Sequence, residues 1–209
     1  MKEILSIFDE SHRRLGEADR NEVHRKGYWH ETFHCWLVHK EGSDLHLYFQ
    51  LRSPLKKDYP LMLDITAAGH ILSHETAADG VREAEEEIGL SVCYSDLRPL
   101  GIIKERLTHG NVLDNEICHT FYYEIDPSFN GFVLQQSEVS GMFRIRLDVF
   151  EDLISGKIGK AMISGFQEDK DGRRYNVDRN VHKHDFVPHE KHYFAEIISK
   201  LKINMNCPQ

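Results

Sequence analysis

Three glutamates, Glu83, Glu86 and Glu87, stand at positions i, i+3 and i+4 of the run VREAEEEIGL. On a helix their carboxylates converge on one face, because side chains three and four residues apart lie one above the other. Such a face repels itself unless a cation neutralises it. Hard divalent ions such as Mg2+ take oxygen ligands and keep part of their water shell, so a carboxylate patch beside a loop can hold an ion and leave room for phosphate oxygens. Arg82, one turn before Glu86, offers partial charge balance and a means of orienting a ligand. Acidic runs in general are solvated faces. This one is set apart by its flanks: Gly69 and Glu75 upstream, Gly89 and Leu90 downstream.

Taken together, GHILSHETAADGVREAEEEIGL (69–90) resembles the Nudix box: Gly, five residues, Glu, seven residues, then Arg-Glu-apolar-any-Glu-Glu-any-Gly-apolar. Arg82, Glu83, Ala84, Glu86, Glu87, Gly89 and Leu90 fit the second half, and Gly69 and Glu75 the first. The spacing departs once, with six residues, 76–81, between Glu75 and Arg82 where the pattern has seven. Gly80 inside the expected helix costs about 1 kcal/mol relative to alanine, so an irregular first turn is expected and the placement of Glu75 is left open. The resemblance implies a Nudix fold, a mixed β-sheet sandwiched between α-helices (α/β/α). It also implies a Mg2+-dependent pyrophosphohydrolase, with Mn2+ as the alternative ion, acting on a small-molecule diphosphate. Glu83, Glu86 and Glu87 would hold metal, and Glu86, Glu87 or Glu116 would take the proton from water.

A looser resemblance runs from about residue 7 to 125. IFDESHRRLGEADRNEVHRKGYWHETFHCWLV, QLRSPLKKDYP and TAAGH are similar to the isopentenyl-diphosphate isomerase-like branch of the superfamily. In those isomerases a histidine cluster and two downstream carboxylates bind metal. Carried over by position, His30 and His70 match, His24 matches with one residue fewer before His30, and Asp114 and Glu116 stand where the carboxylates belong. These five form a candidate second metal site; imidazole with carboxylate is a recognised ligand set. The isomerases' catalytic cysteine is replaced by Ala68, whose methyl group can neither donate nor accept a proton. Isomerase activity is therefore the lesser reading, alongside a catalytically silent diphosphate-binding module. By the same resemblance Arg52 and Lys57 help to bind the diphosphate, with Arg82 beside them; a guanidinium suits phosphate oxygens. Lys56 is expected only to solvate its turn, and Trp29, Phe33 and Trp36 to pack in the core.

The elements that must position these residues can be read from pattern. FHCWLVH (33–39) and DLHLYFQL (44–51) are β-prone runs around a Glu-Gly-Ser turn, a hairpin. LMLDITAA (61–68) reads as a short strand leading into a loop, and 76–88 as a helix stopped by Gly89. Residues 100–107 and 117–125 alternate as strands. Residues 147–155 and 190–203 have helical spacing, and the charged stretch 167–184 between them, with DKDGRR as a turn, is expected to be an exposed, mobile loop. The whole reads as α+β, one domain over 1–209 with an N-terminal extension at about 1–28 and a C-terminal helical tail at about 186–205.

Composition bounds the function. A net charge of −8 disfavours a nucleic-acid polymer as partner. With no run near the roughly 18 apolar residues of a membrane span, and no signal-like start, a cytoplasmic location is expected. Cys35, Cys93, Cys118 and Cys207 form no CxxC pair, so reduced thiols are expected. A homodimer is compatible with the sequence.

Overall fold

The computed structural model describes residues 2–110, 112–126 and 131–206; Cys207 lies outside them. The expected hairpin is present and organises the molecule. Strands β3 (Trp29–Glu41) and β4 (Asp44–Arg52) are joined through Gly42 at φ 62°, a left-handed conformation that glycine adopts without penalty. They pair only near the turn, from Val38↔Leu47 to Glu41↔Asp44, and then part. Beyond that point β5 (Leu63–Ile65) pairs with β4 and β6 (Ala67–His70) pairs with β3, so two short strands occupy the split. The segment 61–68 was expected to give one strand; it gives two, broken at Thr66, whose buried hydroxyl donates to Tyr48 O and accepts from Leu37 N–H.

The outer edge of β3 runs parallel to β8 (Val112–Glu124), and β7 (Arg98–His109) continues the sheet from β8. On the other side β4 pairs with β9 (Val139–Arg146), followed by β10 (Ala161–Glu168) and β11 (Arg174–Val181). The stretch 167–184 is thus largely a hairpin strand and not a loop. Its alternation is weak because an edge strand exposes much of both faces, and its pairing is supported by Arg174, whose guanidinium lies 3.8 Å from the Phe166 ring centroid. DKDGRR does make the turn, with Asp169 accepting from the amides of Asp171 and Arg173. The N-terminal segment is no appendage. Strands β1 (Ile4–Phe8) and β2 (Arg14–Asp19) join the sheet, and helix α1 (Arg20–Lys26) follows, capped by the Asp19 side chain and ended by Gly27 at φ 66°.

Period-two alternation along β3 separates two cores. Trp36 and Val38 face helices α3 (Leu147–Ser155) and α4 (Lys191–Asn206), packing with Phe49, Phe150, Tyr193 and Ile197. Phe33, Cys35 and Leu37 face the other way, toward Ala84 and Ile88 of helix α2 (Arg82–Ile88). Helices therefore lie on both faces of a mixed sheet, the expected α/β/α arrangement, and Trp29, Phe33 and Trp36 are core residues. No helix among the described residues is long and apolar enough to cross a membrane.

Candidate active site and metal centres

Helix α2 is shorter than its sequence pattern. Residues 79–81 form a 3-10 turn and the α-helix begins at Arg82. Two side chains explain the delay. Asp79 accepts from the Thr76 amide and hydroxyl at 2.8 and 2.7 Å, and Gly80 is pressed so close to Phe33 that a Cβ there would lie 2.5 Å from the Phe33 Cβ. Gly89, at φ 69°, ends the helix. The shortened loop still delivers Glu75 to the site. Its carboxylate accepts from Arg82 Nε at 2.9 Å and from the Leu72 amide at 2.9 Å.

Ala84 and Ile88 anchor α2 in the core, which leaves Glu83 and Glu87, again four apart, at the wall of a cavity of about 510 Å³. This cavity opens where β3 and β4 splay, and Arg52, Asp64, Ala68, Gly69, Asp114 and Glu116 are among its lining. Burial, with Glu86 nearby, pushes the Glu83 carboxyl up to about 7. Burial and the charge of Glu83 push Glu87 up to about 8. Both shifts record the same fact: two carboxylates are held together away from water with too little positive charge. Glu87 Oε2 accepts from the Gln50 amide nitrogen and the Ala68 N–H, each at 3.2 Å. Gly69 provides the space for its neighbour, since a Cβ there would fall 2.2 Å from the Glu83 carboxyl carbon. Glu86 is half exposed and receives only a long contact from Arg82, at 3.4 Å. Arg82 itself is spread over Glu75, Glu83 and the His70 carbonyl.

Electrostatics of the cavity follow from its lining. Arg20, Arg52, Lys56 and Arg82 are its arginines and lysines, set against nine carboxylates. The basic residues are already engaged: Arg52 with Asp64 at 2.7 Å and with the Asp58 carbonyl, Lys56 with Glu138. The structure places Lys56 on the cavity wall and leaves Lys57 exposed outside it.

A second group of ligand atoms forms where α1, β3, β6 and β8 meet. His24, His30, His70 and Asp114 each bring one donor atom into a space within which all lie no more than 4.8 Å apart. His24 Nε2 is 3.2 Å from His70 Nε2, and Asp114 Oδ1 is 3.3 Å from His30 Nε2. His30 Nδ1 lies 3.1 Å from the Tyr28 carbonyl, which fixes its N–H there and turns the Nε2 lone pair inward. Apart from their 3.3 Å contact with each other, His30 Nε2 and Asp114 Oδ1 are buried without a hydrogen-bond partner. Burial lowers His24 and, with His30 adjacent, lowers His70 further, so both favour the neutral form that ligates metal. Although burial opposes it, Asp114 raises His30; despite its own burial Asp114 is held well below the usual carboxylate range by His30. Glu116, grouped with these four in the sequence reading, turns instead toward His34, Glu105 and Cys118.

His189 was not singled out in the sequence. Its ring bridges Asp64 Oδ1 at 2.9 Å and Glu105 Oε1 at 2.9 Å. Against the effect of burial, Glu105 and Asp64 raise it to about 10, so an imidazolium ties the segment before α4 to the cavity floor. Asp64 lies 125 residues away along the chain, and no local spacing signals the pair. Gln50 and His34 were missed for the same reason, since each reads as an ordinary position within a strand.

No family model matches the chain. An uncharacterized Nudix hydrolase of Clostridium acetobutylicum is 42% identical over 200 residues, covering 96% of this chain and 97% of the relative. Among solved structures, a Deinococcus radiodurans protein superposes with a TM-score of 0.56 at 19% identity, covering 74% of this chain and 90% of its own. A MutT/nudix family protein of Enterococcus faecalis gives 0.52 at 12% identity, covering 84% and 62%. These two agree on the fold. With 42% identity to the Clostridium protein over nearly the whole of both chains, and an intact acidic helix on the cavity wall, the chain belongs to the Nudix hydrolases.

Proposed function

We propose that this hydrolase cleaves the diphosphate bond of a small-molecule substrate with the help of Mg2+, or Mn2+ in its place, held by Glu83, Glu86 and Glu87. The observation that carries the reading is the pair of buried carboxylates, Glu83 and Glu87, at the wall of an acidic cavity, pushed up to about 7 and 8 by burial, with the charge of Glu86 adding to the first shift and that of Glu83 to the second. The donor set fits the ion: the three side chains offer oxygen alone, which suits a hard cation, and Gly69 leaves the space in which Glu83 sits. A cavity so rich in carboxylates attracts a diphosphate only when cations are added to it.

When bound, the ion neutralises charge on the phosphate oxygens and makes hydroxide available near neutral pH. The chain's own residues supply the remainder. Arg52, held by Asp64 and the Asp58 carbonyl, presents a guanidinium of fixed orientation at the cavity wall, and Lys56 adds a second cation where the sequence reading had placed Lys57. Arg82 orients Glu83 and Glu86. The proton released by water passes to Glu86, Glu87 or Glu116. Glu86 is the most loosely held of the three, which suits a group that must change protonation state. His24, His30, His70 and Asp114 form a second metal centre; their nitrogen-rich set favours Mn2+, Fe2+ or Zn2+ over Mg2+. Ala68 on the cavity wall offers no thiol, so isopentenyl diphosphate is expected not to isomerise.

The test is a library of nucleoside-diphosphate-linked compounds and isoprenoid diphosphates, assayed for phosphate release with Mg2+ and then Mn2+. Turnover that needs the ion and disappears in Glu86→Gln and Glu87→Gln is the expected result. Equal turnover by wild type and both variants would sink the assignment.

A further inference from the structure

At the inner wall of the cavity, which His34 and Glu116 line, and on the face of the sheet that packs against α4, His34, Glu105, Glu116 and Cys118 bring one donor atom each into a space within which all lie no more than 4.8 Å apart. None of the four is more than 9% exposed. Register explains the meeting. Glu105 on β7 pairs with Glu116 on β8, Glu116 pairs with His30 on β3, and residues two apart along β3 and β8 share a face, which adds His34 and Cys118.

We propose that these four side chains form a separate four-coordinate site for a zinc-class divalent ion. Thiolate with imidazole and carboxylate is a set that Zn2+ accepts and Mg2+ does not. Three of the six separations lie close to tetrahedral ones. A tetrahedral ion with Zn–S of about 2.3 Å and Zn–N or Zn–O of about 2.0–2.1 Å separates its ligands by roughly 3.3–3.6 Å. Here His34 Nε2 and Glu116 Oε2 are 3.4 Å apart, Cys118 Sγ and Glu116 Oε2 3.7 Å, and Cys118 Sγ and Glu105 Oε1 3.9 Å.

Outer contacts hold the ligands as metal ligands are held. His34 Nδ1 lies 2.8 Å from the Tyr193 hydroxyl, leaving Nε2 to point inward. His189 binds both oxygens of Glu105 from the far side, at 2.9 and 3.0 Å. Thr32 Oγ1 is buried with no hydrogen-bond partner, beside the Cys118 thiol it faces across the β3–β8 register; a thiolate would give that hydroxyl an acceptor. Charge closes as well. On binding, the Cys118 S–H proton leaves to solvent and a sulfur–metal bond forms. Two carboxylates and one thiolate are then balanced by the dication and the His189 imidazolium. Without an ion the Cys118 thiol has only long contacts to donate into, at 3.7 Å to Glu116 and 3.9 Å to Glu105, and the Thr32 hydroxyl has no partner. With Glu116 as a ligand, the proton of the attacking water goes to Glu86 or Glu87.

The inference does not depend on the hydrolase reading, because it is tested by metal spectroscopy. Full-length protein loaded with Zn2+ should show, at the zinc X-ray absorption edge, a sulfur scatterer at about 2.3 Å. The same sulfur shell should persist in His24→Gln/His70→Gln, which removes the neighbouring centre, and vanish in Cys118→Ser. Zn2+ bound through nitrogen and oxygen alone in the wild-type protein would overturn the proposal, whether or not Cys118→Ser folds. Retention of the sulfur shell in a folded Cys118→Ser protein would overturn it too.

Discussion

Glu83 and Glu87 of α2 and the His24, His30, His70 and Asp114 group are both clusters of largely buried titratable side chains beside one cavity, yet they settle their charge differently. On α2, Glu83 and Glu87 are the same chemical group four residues apart, and burial pushes both carboxyls up toward the protonated form. In the histidine group, two imidazoles go neutral while a third pairs with Asp114, so the charges balance internally. The first cluster is under electrostatic load; the second is preorganised and nearly neutral. Load of that kind is what an ion with a weak hold on its ligands needs to overcome its reluctance to shed water, whereas nitrogen donors bind softer ions without it.

The strongest way to break the contrast is at the loaded cluster. Glu86→Gln and Glu87→Gln should each lower Mg2+-dependent hydrolysis by about 10²- to 10⁴-fold, the range for removing an essential acid-base group. Circular dichroism should show the fold retained. A loss under tenfold in both would mean that the carboxylates of α2 are ordinary surface charge. Gly69→Ala sharpens the same point by a different route. Its Cβ would collide with the Glu83 carboxyl group and not with backbone, so the side chain must move aside. A displacement near 1 Å can cost about 10²-fold, read as a fall in kcat with little change in melting temperature. Gly80→Ala is its control: the clash there is with Phe33 in the core, and the expected loss is about 1–3 kcal/mol of stability.

At the histidine group, His70→Gln should weaken Mn2+ or Zn2+ binding about 10- to 100-fold by calorimetry, at least the loss seen when a ligand's supporting contact is removed. Mg2+ binding at α2 should stay the same. A parallel loss of both ions would mean that the two clusters form one centre.

What the sequence could disclose follows the same division. The acidic helix is legible because its three glutamates lie within one helical turn, and the β3–β4 hairpin because its alternation and turn are local. His24, His30, His70 and Asp114 come from four elements, and only the family resemblance joined them. Glu116, which the resemblance joined to them, has its nearest ligand-type neighbours in His34, Glu105 and Cys118, a grouping set by the register between β7 and β8. Nothing local marks His189, since its partners lie on β5 and β7. The 167–184 stretch was misread because β11 is an edge strand, in which charge on both faces erases the alternation that reveals a half-buried one.

The smallest expected effect tests the load directly, through the pH dependence of stability without metal. In the folded protein Glu83 and Glu87 keep their protons up to about 7 and 8, while the unfolded chain gives them up near the ordinary value of 4.5. Between those limits the folded state binds more protons, so stability falls as pH rises. The contribution is complete below about pH 4.5 and is lost as pH climbs through 7 and 8. His189, raised to about 10, gives a slope of the same sign from about 6.5 upward, but that slope is insensitive to Mg2+. The melting temperature in chelator should therefore drop from pH 6 to pH 8, and Mg2+ should restore the portion due to α2. Glu87→Gln, neutral at every pH, should melt higher than wild type at pH 8 in chelator and respond less to Mg2+. Each kcal/mol recovered is worth roughly 2–4 °C in a chain of this size. If Glu87→Gln follows the wild-type curve at both pH values, the two carboxylates are not under load, and the distinction between the clusters disappears.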